Sequence, residues 1–201
     1  MMFLFDWKAD RVAPGRLCRC RPVRWEDLRH MARWPRSDDP QEAPYTDFPR
    51  DMASLETWYR SCTDTDAKRT WTVLDERDQI VGRIGIALVD EVRKEGLLSI
   101  RLRADRVRMG YGFDSLTCVL DHWFGTLEME TMTLDVSILN VGAIKLYEKL
   151  GFHINGCHWV PIARRHMVPG TSEAGFVRYL DMGLEREEWL TRKNAISRTA
   201  R

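Results

Sequence analysis

The longest hydrophobic stripe in the chain runs through Leu116, Val119, Leu120, Trp123, Phe124 and Leu127, spaced as one face of an α-helix. This spacing predicts a helix over residues 112–127, opened by the turn Gly110-Tyr111-Gly112. A shorter stripe, Ala143, Leu146, Tyr147 and Leu150, predicts a helix over 141–150, with Asn140 as its N-cap and Gly151 as its stop. Nearer the start, Leu28, Met31 and Ala32 share a face of a helix over 25–34, with Glu26 and Asp27 in its first turn and Pro35 ending it. Asp51 stands where it would cap another helix, carried by Met52, Leu55, Trp58, Tyr59 and Cys62. Strand patterns occupy 16–22, 69–74, 80–89, 96–103, 131–137, 152–160 and 176–184. The polar turns at 75–78 and 90–95 make the second to fourth of these an antiparallel meander.

The remaining segments set the domain plan. Residues 1–15 read as a loosely ordered leader, 16–190 as a single domain, and 191–201 as a charged tail that continues helically. Residues 35–50 hold four prolines and several acidic side chains, which makes them a long loop and a candidate lid. A polar loop over 162–175 carries Arg164, Arg165 and His166, close after His158. Acceptor recognition is expected in these two loops, because loops carry specificity on a rigid scaffold. Trp58, Trp71, Trp123 and Trp159 fall on apolar faces and read as core.

Composition narrows the function classes. With 201 residues, 44% hydrophobic and 30% charged, the chain is long enough to bury a substantial core and reads as globular. A formal net charge of +1 argues against a nucleic-acid partner, which needs a concentrated basic excess. The arginines at 101, 103, 106 and 108 suit a small polyanion better. Five scattered cysteines without C-x-x-C spacing read as reduced thiols of a cytoplasmic protein, with no metal site. The apolar start is too short for a signal peptide, and no stretch reaches the length of a membrane span.

Two motifs carry chemistry. Around Gly110-Tyr111-Gly112, successive backbone N–H groups can converge on one anion, aided by the positive end of the following helix. On spacing alone an ordinary strand-to-helix turn fits equally well. Tyr147 lies on the apolar face of its helix, so its spacing is also that of a core tyrosine.

Taken together, the meander, the glycine turn opening a long helix and the run Asn140-Val-Gly-Ala143-Ile-Lys-Leu146-Tyr147-Glu-Lys-Leu150-Gly151-Phe152 resemble the GNAT acyltransferase superfamily. The branch of ribosomal-protein-alanine N-acetyltransferases is the nearer likeness, through Arg19-Cys-Arg21-Pro22, Glu26-Asp27-Leu28, Leu134-Asp135-Val136 and the stretch from Tyr179 to Trp189. The likeness spans roughly residues 16–189.

The resemblance implies an α/β (α+β) fold whose mixed, mostly antiparallel central sheet is flanked by helices and split where acetyl-CoA inserts. It implies that coenzyme A is held by Val107, Arg108, Met109, Gly110, Tyr111, Gly112 and Phe113, by the strand backbone at Ile100 and Leu102, and by Asn140. Val107 departs from the arginine or glutamine usual in the family, which leaves the backbone N–H groups as the binding element. Tyr147 would face the leaving sulfur. A phenol near pKa 10 against a thiol near 8.5 makes full proton donation uphill by about 2 kcal/mol, so hydrogen bonding to the developing thiolate is the better role. The implied activity is acetyl transfer to a primary amine by direct attack, with a protein N-terminal amine as the acceptor and a homodimer possible. The alternatives are an antibiotic or polyamine acceptor, or a non-catalytic acyl-CoA sensor. Asp90, Glu91, Glu95 and His122 are candidate bases that spacing does not separate.

Overall fold

A seven-stranded sheet with the order β1-β2-β3-β4-β5-β7-β6 forms the backbone of the computed structural model. The structure describes residues 12–35, 48–63, 67–90, 92–161 and 175–199. The strands are β1 (Cys18–Pro22), β2 (Lys68–Asp75), β3 (Ile80–Asp90), β4 (Glu95–Leu102), β5 (Thr131–Ser137), β6 (His153–Pro161) and β7 (Phe176–Glu185). Among the described residues the helices are α1 (Trp25–Met31), α2 (Met52–Thr63), α3 (Tyr111–Asp121), α4 (Val141–Leu150) and α5 (Arg186–Thr199).

The meander forms as its turn residues dictate, with β1 to β4 paired antiparallel. Among the described strands only β4 and β5 run parallel, and their ladder is short: Glu95, Gly96 and Leu97 against Thr131, Met132 and Thr133. Beyond those three pairs the strands part, so residues 98–102 and 134–137 border a cleft. The last strand, β7, inserts between β5 and β6 and pairs antiparallel with both.

Two apolar clusters cover the two faces of the sheet. The larger joins Ile84, Ile86, Met132, Leu134 and Met182 to Leu116, Val119, Trp123 and Phe124 of the α3 segment, to Leu150 of α4 and to Trp189 of α5. The smaller gathers Leu28, Met31, Trp34, Phe48 and Leu55 beneath α1 and α2. As expected, Asp51 accepts the Ser54 N–H at the head of α2 (2.8 Å).

Several expectations shift. The helical stripe over 112–127 becomes α3 followed by one wide π turn, His122–Thr126, which keeps Trp123 and Phe124 pointing into the core. β1 starts at Cys18 and α1 stops at Met31, where Ala32 and Arg33 turn away. Trp159 is 63% exposed, because β6 is an edge strand, while Trp189 is buried. Val12, inside the stretch read as a leader, packs in the larger core. Most of the 35–50 loop and all but the last residue of the 162–175 loop lie outside the described residues. No described helix is long and apolar enough to cross a membrane.

Candidate active site

The glycine turn builds one end of the cleft. After a 3-10 turn at Ala104–Arg106, the backbone passes through left-handed conformations at Arg108 (φ 60°) and Gly110 (φ 88°) before α3 begins. Left-handed residues within such a turn swing successive N–H groups to the same side. The first-turn amides of α3 are free of intrahelical partners by construction, and they add a positive end. Gly112 keeps this head open. A Cβ there would lie 3.0 Å from Leu146 Cδ2 and 3.4 Å from Leu102 Cδ1. Thus Gly112, Leu102 of β4 and Leu146 of α4 meet at one point, next to Tyr147.

Of the residues expected to hold coenzyme A, the structure brings Gly110, Tyr111, Gly112 and Phe113 together at the head of α3. Val107, Arg108 and Met109 form the loop leading into it, and Ile100 and Leu102 lie on β4 beside the cleft. Asn140 caps α4, its Oδ1 accepting the Ala143 N–H (3.1 Å). This set fits a ligand with an anionic end and an extended arm: amides at the helix head, then a bare strand edge.

Tyr147 is only 7% exposed and its ring meets Phe152 edge-on, centroids 5.8 Å apart. Burial, and secondarily the Asp135 charge, push its pKa above the ordinary phenol value. The phenol is therefore a weaker acid than its sequence alone implied, which strengthens the role of hydrogen-bond donor over that of proton donor.

The candidate bases separate by position. Asp90 pairs in register with Glu95 at the end of β4 where the sheet is closed. Glu95 and Leu102 are seven residues apart on a strand, roughly 23 Å at the usual rise, so both carboxylates stand away from the glycine turn. His122 is buried beside Trp71 at the far end of α3. Glu91 lies outside the described residues.

The sheet face opposite α3 and α4 carries charges that sequence reasoning did not connect. On one side of the cleft, Arg83 of β3 stands directly across from Arg101 of β4. On the other, Asp135 of β5 stands directly across from Asp181 of β7. His158 of β6 reaches Asp181 Oδ1 through Nδ1 (2.7 Å) and stacks on Tyr179. Period-2 alternation shows which residues of one strand share a face, but only pairing register shows which strands bring them together. Among the described residues no group of three or more metal-ligating side chains is placed to hold a metal ion.

A family model for the acetyltransferase (GNAT) domain matches residues 18–153. The chain is 24% identical over 111 residues to the spermidine N(1)-acetyltransferase of Vibrio cholerae, covering 55% of this chain and 62% of that protein. It thus spans less than two thirds of that curated relative's length. Among solved structures, spermidine N-acetyltransferase from Vibrio cholerae in complex with CoA and spermine aligns with a TM-score of 0.69 at 18% identity, over 86% of this chain and 98% of that one. A dodecameric structure of spermidine N-acetyltransferase from the same organism aligns at 0.65 and 17%, over 87% and 97%. At such identities the likeness is one of fold.

Proposed function

Since the chain belongs to the GNAT acetyltransferase family, whose model matches more than half of it, we propose that it moves an acetyl group from acetyl-CoA to the primary amine of a small molecule. The observation that carries this reading is the cleft where β4 and β5 part, with the glycine turn and Gly112 at one end and Tyr147 on the helix that Gly112 abuts through Leu146. A protein N-terminal amine, the first expectation from the sequence, gives way to a small-molecule acceptor because the relatives are named as spermidine acetyltransferases.

Acetyl-CoA supplies an activated thioester carbonyl when bound. The amides from Arg108 to Phe113 hold its diphosphate, and the unpaired edge of β4 at residues 98–102 offers amide and carbonyl groups to the arm. Asn140 keeps α4 in place through its cap, and its side-chain NH2 would remain to contact the arm. An amine that binds as ammonium sheds a proton to solvent before attack, since an ammonium has no lone pair. Attack forms the C–N bond and breaks the C–S bond, whose electron pair leaves on sulfur; the proton lost from nitrogen passes through solvent to that thiolate, giving the free thiol. The Tyr147 hydroxyl donates a hydrogen bond to the sulfur as negative charge gathers there.

Thiol release tests the reading. Purified protein with acetyl-CoA should release free thiol on addition of small primary amines and much less with peptides bearing a free N-terminus. Binding of acetyl-CoA without thiol release for any amine would favour the sensor reading, and faster release with peptides would restore the protein acceptor.

A further inference from the structure

The two charged pairs flanking the cleft lie on one face of the sheet. Leu97 and Thr133 are partners in the parallel ladder, so the alternating positions Ser99 and Arg101 on β4 share a face with Asp135 on β5. Register then places Arg83 beside Arg101, and Asp181 beside Asp135. The β2–β3 part of this face lies under α1 and α2, away from the side where α3 packs.

Arg83 is the informative residue. Its guanidinium carbon lies 4.8 Å from the Trp58 ring centroid and 5.7 Å from that of Phe48. Aromatic rings satisfy a guanidinium's charge but provide no acceptor for the N–H fork in its plane. Its Nε is shut off from solvent and has no hydrogen-bond partner among the described residues. Burial, then the neighbouring Arg101 charge, pull the Arg83 pKa down to about 10. The Thr70 hydroxyl on the adjoining strand is likewise buried and unpartnered among the described residues. Gly85 keeps the floor clear, since a Cβ there would stand 2.9 Å from Ser99 Oγ. A half-buried guanidinium whose Nε lacks an acceptor among the described residues, beside an unpartnered hydroxyl, suits a carboxylate. Across the cleft, two carboxylates stand opposed in register, one of them held by His158, and together they offer a cation two acceptors.

Resting on the acetyl-transfer reading and narrowing its acceptor, we propose that the substrate is a small amine that also carries a carboxylate. Arg83, supported by Arg101, seats the carboxylate, and Asp135 with the Asp181–His158 pair draws in the amine as ammonium. The polyamines of the relatives' names carry no anionic group, and the arginine pair disfavours them.

Matched amines test this through thiol release from acetyl-CoA: lysine against cadaverine, and ornithine against putrescine, each pair differing by one carboxylate, with spermidine alongside. The carboxylated member should win in kcat/KM by on the order of 10–100-fold, the size of one charge-assisted contact. Arg83→Met should collapse that ratio toward one, mainly through KM for the carboxylated amine. Arg101→Gln should shrink the ratio in the same direction and serves if Arg83→Met does not fold. Cadaverine, putrescine or spermidine turned over as well as or better than lysine and ornithine would overturn the carboxylate seat while leaving acetyl transfer standing. An absence of thiol release with every amine of the panel would overturn this inference, and acetyl transfer falls as well only if wider sets of amines and peptides also release none.

Discussion

Leu146 Cδ2 lies 3.0 Å from the point where a Cβ on Gly112 would stand, so the head of α3 and the flank of α4 meet without room for a side chain. Gly112→Val is therefore expected to push α3 away from α4 and Leu102. Overpacking of this kind costs about 1–3 kcal/mol of stability. Acetyl-CoA affinity should drop by about tenfold or more, equivalent to ~1.4 kcal/mol. Calorimetric titration measures it, and an unchanged Kd would detach Gly112 from the cofactor site.

Tyr147→Phe keeps the ring, and with it the edge contact to Phe152, so thermal stability should be close to that of the parent. Turnover should fall by about 10²–10³-fold, the loss typical of one donor to a developing anion. Affinity for acetyl-CoA should hold. Because the phenol pKa is raised by burial and by Asp135, the hydroxyl stays protonated at and below its ordinary value near 10. The alkaline limb of the pH–rate profile should thus show no loss from this residue below that pH. Full activity in the variant would exclude the hydroxyl from the chemistry.

Asp114, in the first turn of α3, accepts backbone N–H bonds from Arg16, Leu17 and Cys18 (2.9–3.1 Å) and one from the Cys18 thiol. These bonds tie β1 to the helix whose head forms the glycine site. Although desolvation acts the other way, they hold its pKa below the usual carboxylate value. A depressed carboxylate contributes stability above its unfolded pKa, near 3.9, and loses it as pH falls through the lower folded value. Asp114→Asn should cost about 1–3 kcal/mol at neutral pH. The gap between variant and parent in denaturant midpoint should close in acid, and a gap independent of pH would argue for a purely steric effect.

Burial raises the thiol pKa of Cys20 to about 12 and of Cys118 to about 11, and that of Cys18 further still, with Asp114 adding to each. A raised folded pKa means that the contribution is whole below the unfolded thiol value, near 8.5, and is lost as pH rises beyond it toward the folded values. Denaturant midpoints should therefore hold steady up to about that pH and decline above it. Cys157 is the exposed cysteine, so brief alkylation followed by mass mapping should find label there before Cys18, Cys20 or Cys118. Early label on those three would contradict the packing around β1.

How legible was all this in the residues? The helices around Gly112 and Tyr147 were, because their apolar spacing, N-cap and terminal glycines are local properties. The meander was too, since its turns lie within a few residues of each strand. The insertion of β7 between β5 and β6 was not, because strand order depends on contacts between distant segments. Arg83 and Asp181 escaped notice for the same reason: each is one polar residue in a strand, and only register brings Arg101 or Asp135 beside it. Trp159 misled because its apolar neighbours suit a central strand as well as the edge strand it occupies.

The brief ladder between β4 and β5 has a kinetic consequence. Three paired positions join the two halves of the sheet, and past them the facing backbone groups of each strand lack a strand partner. Amide protons there that point into the gap should exchange with deuterium readily in the free protein and slow once an extended amide-bearing molecule lies between them. Protection arising along residues 98–102 and 134–137 on adding acetyl-CoA would report, proton by proton, a cofactor standing in for the missing strand.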